Sequence, residues 1–267
     1  MASRRLREDR TGVAGPILTQ TAAAGVEPVA VEPPPLAQRV VMRQRWTDLA
    51  YFHWRYQAET VQALLPDGVV VDTFDESAWV GLIPFVMRDV RLGPTPPVPY
   101  LGTFVEINVR TYVIDERGRR AVWFFSLDVP RAIIVGVART VFSLPYCWSA
   151  GADHAVDGDH HRYTMRRSWP RSAAGQVTAD IGYTVGPVIP EPTDLDHFLS
   201  ARWALVTHRF GRPRYGRVHH EPWPLHRADD VEIDQSVIEA AGLPTPSSSP
   251  HALCTPGVAV SLPWFER

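Results

Sequence analysis

Residues 104–114, FVEINVRTYVI, constrain the fold more than any other stretch of this chain. With the two-residue period of a strand, Val105, Ile107, Val109, Thr111 and Val113 point one way, and Glu106, Asn108, Arg110 and Tyr112 point the other. The first face is a core face. The second carries a carboxylate, an amide and a guanidinium, and burying these without partners would cost several kcal/mol each. Such a face either meets water or lines a hydrogen-bonded cavity. Glu106 and Arg110 cannot simply satisfy each other, since four residues along a strand span about 13 Å. Their partners must come from elsewhere, and His53, Arg202, His208, His219, His220 and Asp128 are the candidates in or beside the other motif runs.

The rest of the chain reads as strands that surround this one. VVMRQRWTDLAYFHW opens the domain as an extended segment, and a short helix from Gln57 is ended by Pro66. VVVDTF and WVGLIPFVM are strand-like, and DERG is a turn that brings AVWFFSLDV back as the hairpin partner of residues 104–114. After Pro130, the residues Ile133, Ile134, Val137, Ala138 and Val141 fall on one helical stripe, which predicts a helix lying on the sheet. GADHAVDGDHH reads as a polar loop, HRYTMRRSW and VTADIGYTV as strands, and Thr193 with Asp196 as a capping box that starts a short helix running into RWALVTHRF. Gln235 to Ala241 is a further short helix and ALCTPGVAVSLPWF a broken closing strand. Residues 1–36, arginine-rich and then VEPPPL, lack periodicity and are expected to be a disordered tail; residues 37–267 are expected to form a single domain.

Charge and composition exclude several functions. A net charge of -2 gives no field to recruit nucleic acid or an anionic membrane, and no apolar run reaches the roughly 18 residues of a spanning helix. Cys147 and Cys254 form no CxxC, so a thiolate metal site is not expected, and a reducing cytoplasm fits. The ten histidines include the pairs His160–His161 and His219–His220, but neighbours on a strand face opposite ways and no HExxH is present. No metal and no other cofactor is expected. All 27 basic residues are arginine, so no lysine is available to form an imine with a carbonyl substrate or to act as a P-loop lysine.

Taken together and in order, FHW at 52–54, LLPDGVVVDTF, AWVGLIPFVM, FVEINVRTYV, VWFFSLD, FSLPY, HFLSARW and VHHEPWPL resemble the YqjF-like family (DUF2071), placed in the acetoacetate decarboxylase-like superfamily. The resemblance runs from about Val40 to the C-terminus. It implies an α+β fold: a curved antiparallel sheet closing into a barrel or cone around a ligand-sized cavity, with a few helices packed outside. The superfamily's decarboxylases set a glutamate on a central strand beside an imine-forming lysine that follows a proline. Glu106 matches the glutamate, and in the Leu-Pro-Tyr of residues 144–146 Tyr146 stands near where the lysine would be. The fold can be carried over; the imine mechanism cannot.

The expected site therefore has Glu106 as general base or acceptor, Tyr146 as a hydrogen-bond donor, and Arg110 or Arg202 as an anion clamp, with Asn108, His53 and His220 as further binding residues. The ligand would be a small anionic or carbonyl-bearing molecule, in a lysine-independent lyase or acid/base enzyme. The alternatives are a non-catalytic binding module and a structural or partner-binding protein. Catalysis and binding require a cavity of roughly 300 Å³ or more; a structural protein would fill that space with aromatic side chains. Nothing in the sequence fixes an oligomeric state.

Overall fold

The computed structural model describes residues 25–173 and 175–266. Its strands are β1 (Val40–Tyr56), β2 (Val69–Val71), β3 (Thr73–Phe74), β4 (Ser77–Leu92), β5 (Phe104–Asp115), β6 (Arg120–Val129), β7 (Tyr146–Asp157), β8 (His160–Trp169), β9 (Thr178–Val188), β10 (Ala204–Arg209), β11 (Arg212–Arg217), β12 (His219–His220), β13 (His226–Gln235) and β14 (His251–Pro263). The helices are α1 (Ala58–Gln62), α2 (Ala132–Val137), which runs on into a π-helical turn at Ala138–Phe142, α3 (Asp194–Ser200) and α4 (Val237–Ala240). Among the described residues, no helix is long and apolar enough to cross a membrane. Of the expected tail, residues 1–24 lie outside the described residues. Next to it, the Glu27 amide donates to the Gly118 carbonyl and Trp203 Nε1 donates to the Ala30 carbonyl at 2.8 Å.

The strands pair in one sheet, and the pairings run in a circuit. β5 bonds to β4 on one side and to β6 on the other, and the path from β6 through β7, β8, β9, β13, β14 and β1 returns to β4. The protein is richer in sheet than the α+β expectation implies, because every helix among the described residues is short and α3, the longest α-helix among them, has seven residues. The sheet is also not wholly antiparallel. β6 runs parallel to both β7 and β10, since the chain leaves β6 through α2 and crosses over before pairing again. GADHAVDGDHH, expected to be a polar loop, is instead mostly strand. It forms the end of β7 and a tight turn at Gly158, pairing as a hairpin with β8, with polar side chains because both its faces are largely exposed.

The expected hairpin of β5 and β6 forms, with Asp115 Oδ1 accepting from the Arg117 and Arg119 amides across the turn. The Thr193 capping box forms as well: the Thr193 hydroxyl accepts from the Asp196 amide, and the Asp196 carboxylate accepts from the Thr193 amide at 2.8 Å. RWALVTHRF, read as the end of that helix, is instead largely the strand β10.

β5 is buried on both faces, which its alternating sequence does not announce. Val105, Ile107 and Val109 join the largest apolar cluster, with Phe52, Leu82, Tyr163 and Ile181 from the strands and Val61 of α1 and Ile238 of α4. Each such aliphatic contributes about 1.5–3 kcal/mol on burial. The opposite face, with Glu106 and Arg110, borders a cavity of about 630 Å³. The stripe at Ile133, Ile134, Val137, Ala138 and Val141 therefore does not pack on the apolar side of β5. It lines the cavity.

Two backbone devices shape that wall. Asp48 takes a left-handed φ of 54° in mid-β1, and the register with β4 shifts between Thr47 and Phe52. The slip is the local signature of a bulge and reverses which residues face the cavity. Gly257, opposite Thr47 with φ 113°, passes so close that a Cβ there would lie 1.9 Å from the Trp46 carbonyl oxygen. Only glycine fits.

Candidate functional site

Glu106 lies in the cavity wall, only 3 % exposed. The Tyr146 hydroxyl donates to its Oε2 at 3.1 Å, and Asn108 Nδ2, two residues along the same face, donates to Oε1 at 3.4 Å. Burial raises the Glu106 carboxyl to about 7, against the pull of these two hydrogen bonds, and the Asp128 carboxylate adds a little to the rise. Such a group holds or releases a proton near neutrality, which suits an acid/base role. Burial and the neighbouring carboxyl push the Tyr146 phenol well up, so it stays a hydrogen-bond donor.

The raised value fixes the direction of a pH dependence. Between the ordinary 4.5 and about 7 the folded chain holds the Glu106 proton that the unfolded chain has released. The stability contribution is therefore full below pH 4.5 and is lost as pH rises to 7, by about 3 kcal/mol in all. Urea unfolding of Glu106→Gln and wild type from pH 4.5 to 8 should show the wild type losing stability relative to the variant. A constant difference would mean an ordinary carboxylate.

Arg110 is 9 % exposed, and among the described residues it forms no ion pair with a carboxylate. Its Nη2 donates to the Tyr112 hydroxyl and to the Leu199 carbonyl, both at 3.3 Å, and its guanidinium lies 5.3 Å from the Tyr51 ring centre. It is thus a buried cation held by neutral groups. Arg202, also in the wall, is different: its Nη1 donates to Asp72 Oδ2 at 2.7 Å, its Nε donates to the Phe198 carbonyl at 2.7 Å, and Arg120 pairs with the same Asp72. By sequence the two arginines are equal candidates for an anion clamp. Only Arg110 carries charge that no protein carboxylate answers.

Of the other expected residues, His220 lines the cavity and His53 and Asn108 do not. His220 Nδ1 lies 2.6 Å from the Glu221 carbonyl, so Nδ1 carries the proton. Burial lowers the ring to about 4, which keeps it neutral. His53 shares the Tyr112 hydroxyl with Arg110, its Nε2 donating to it at 2.6 Å while Tyr112 donates to the Leu199 carbonyl at 2.5 Å. It braces Tyr112. A Cβ on Gly81, its neighbour across β4, would lie 2.6 Å from His53 Nε2. Asn108 braces Glu106 in the same way. Asp128 does not serve Glu106 or Arg110, because Arg167 holds it with two hydrogen bonds at 2.7 and 2.6 Å. Cys147 is buried, with its thiol pushed up to about 12 chiefly by burial, as an inert packing residue would be.

The sequence reading missed Trp46, Tyr51, Ser200 and Trp223, all in the wall. Trp46 Nε1, the Tyr51 hydroxyl, Arg110 Nε and Arg202 Nη2 are buried and lack a partner at hydrogen-bond geometry among the described residues. All four belong to residues that border the cavity. At about 630 Å³ the cavity exceeds the roughly 300 Å³ that a small-molecule site needs.

The model of the family DUF2071, described as an uncharacterized conserved protein, matches residues 43–259. The protein YqjF of Bacillus subtilis (strain 168) is 33% identical over 210 residues, which cover 79% of this chain and 85% of that one. Among solved structures, acetoacetate decarboxylase from Legionella pneumophila superposes with a TM-score of 0.57 at 12% identity, over 92% of this chain and 97% of its own. The enduracididine biosynthesis enzyme MppR, complexed with pyruvate, gives 0.57 at 13% identity, over 86% of this chain and 91% of its own. An acetoacetate decarboxylase-like enzyme from Sphingomonas wittichii RW1 gives 0.55 at 14% identity, over 86% of this chain and 94% of its own. At these identities the solved structures speak for the fold alone.

Proposed function

Because this chain belongs to the DUF2071 family and has an acetoacetate decarboxylase-like fold, we propose that its cavity binds a small anionic or carbonyl-bearing molecule and that Glu106 exchanges a proton with it. The observation that carries this reading is the buried Arg110 guanidinium, without a carboxylate partner, in the same cavity wall as a carboxyl raised to about 7. A buried cation with no protein anion favours a ligand that supplies one. Arg110 is the clamp, Glu106 the acid/base, and Tyr146 with Asn108 steadies the carboxyl. Arg202 and His220 complete the polar wall. The chemistry is acid/base or lyase-type without an imine, since no lysine is present in this sequence. That solved MppR carries pyruvate is in keeping with the ligand class. Two free, buried cysteines agree with a cytoplasmic setting.

The test is a thermal-shift screen of small acids and carbonyl compounds, where a ligand at 100 times its Kd adds about 2.7 kcal/mol of stability. The hit is then taken to Glu106→Gln. Retained affinity with lost turnover identifies Glu106 as the catalytic acid/base. Turnover that survives in Glu106→Gln removes Glu106 from the chemistry, and turnover in neither protein leaves a binding module.

A further inference from the structure

Most polar groups of the cavity are buried, and its most exposed lining is apolar. Glu106, Arg110, Tyr51, Ser200, Arg202 and His220 all lie within the buried part of the protein, none more than 9 % exposed. The most exposed lining residues are apolar, Ile133 at 60%, Leu92 at 56%, Val137 at 52% and Trp264 at 49%, whereas Arg217, also in the lining, is less exposed and paired with Glu27 and Glu266. The rest of the wall includes side chains such as Phe85, Met87, Phe104 and Leu127. A ligand seated with its charge on Arg110 would thus have its remaining atoms in an apolar channel that opens beside α2.

Size points the same way. With a water's share of liquid volume at about 30 Å³, a 630 Å³ space has room for roughly 20 non-hydrogen atoms. A three- or four-carbon acid would occupy the buried polar part and leave the apolar part unfilled. Resting on the reading of the site given above, we infer that the ligand class is an amphipathic carboxylic acid with a chain or ring body of eight or more carbons, bound carboxylate-inward with its apolar body toward α2.

The experiment measures Kd for butanoate, octanoate, dodecanoate and octan-1-ol, each below its micellar range, by calorimetry or by the fluorescence of Trp46 and Trp223. Wild type, Arg110→Met and Val137→Asp are compared. Each buried methylene is worth about 0.8 kcal/mol, or roughly fourfold in Kd, so with four more methylenes octanoate should bind about 200-fold tighter than butanoate. Octanoate should exceed octan-1-ol at least tenfold in wild type, and Arg110→Met should remove that preference. Val137→Asp, half-exposed and compatible with folding, should weaken octanoate about tenfold and leave butanoate unchanged. Equal affinity for butanoate and octanoate overturns the amphipathic class and leaves the anion site standing. Octan-1-ol binding as well as octanoate, or Arg110→Met changing nothing, overturns the anion site as well.

Discussion

Replacing Arg110 by methionine is expected to lower affinity for an anionic ligand by about 30-fold or more, while leaving the unliganded protein as stable as wild type or about 1 kcal/mol more stable. The two halves of this result have one cause. A buried guanidinium held only by the Tyr112 hydroxyl, the Leu199 carbonyl and aromatic faces has surrendered its hydration without a full counter-charge. An apolar side chain of similar length in its place removes that burden. For the ligand the arithmetic reverses, because deleting one member of a desolvated ion pair costs about 2–5 kcal/mol, and 2 kcal/mol is already 30-fold. Arg202→Met provides the contrast. It removes one of two cations from the buried Asp72, so it should destabilise the free protein. Calorimetry gives the affinities and urea unfolding the stabilities. If Arg110→Met destabilises the unliganded protein as much as Arg202→Met does, Arg110 is a structural brace.

The second large effect belongs to Asp128, which no cavity function needs. It is fully buried on β6, accepts from the Ser149 hydroxyl at 2.8 Å and is gripped by Arg167 through Nε and Nη2. Asp128→Ala leaves Arg167 buried with no partner and should lower stability by about 3–5 kcal/mol in urea unfolding. The double variant Asp128→Leu, Arg167→Met should recover most of that loss, since a pair replaced by apolar groups carries no stranded charge. A double variant as unstable as the single one would locate the loss in packing. The ion pair joins β6 to β8, so it holds the sheet behind Glu106 and Tyr146.

How much of this was legible in the sequence depended on whether one strand's alternation was enough. For β5 it was: Glu106 and Arg110 lie on one face and Val105, Ile107 and Val109 on the other, and the polar side does border a cavity. For β1 it was not. Trp46 and Tyr51 are an odd number of residues apart, so a period of two assigns them to opposite faces, yet both line the cavity. The reversal comes from the left-handed Asp48 and the close passage of Gly257, and the latter is contributed by a strand about 210 residues away in the chain. The helical stripe of residues 133–141 was recognisable as amphipathic, but periodicity does not say which surface an amphipathic face covers. Here the helix is short, turns π-helical, and leaves Ile133 and Val137 at the mouth of the cavity. The choice between Arg110 and Arg202 was likewise hidden, because Asp72, which decides it, sits in a valine-rich run that reads only as strand.

The most direct test of the account is a crystal structure of the protein with the tightest acid found in the screen. The expected result is a ligand carboxylate oxygen within hydrogen-bond distance of the Arg110 guanidinium, with Glu106 against the neighbouring carbon and the apolar body extending toward Val137. A ligand bound away from Arg110, or with its acid group at the α2 mouth and its apolar end against Glu106, would contradict it.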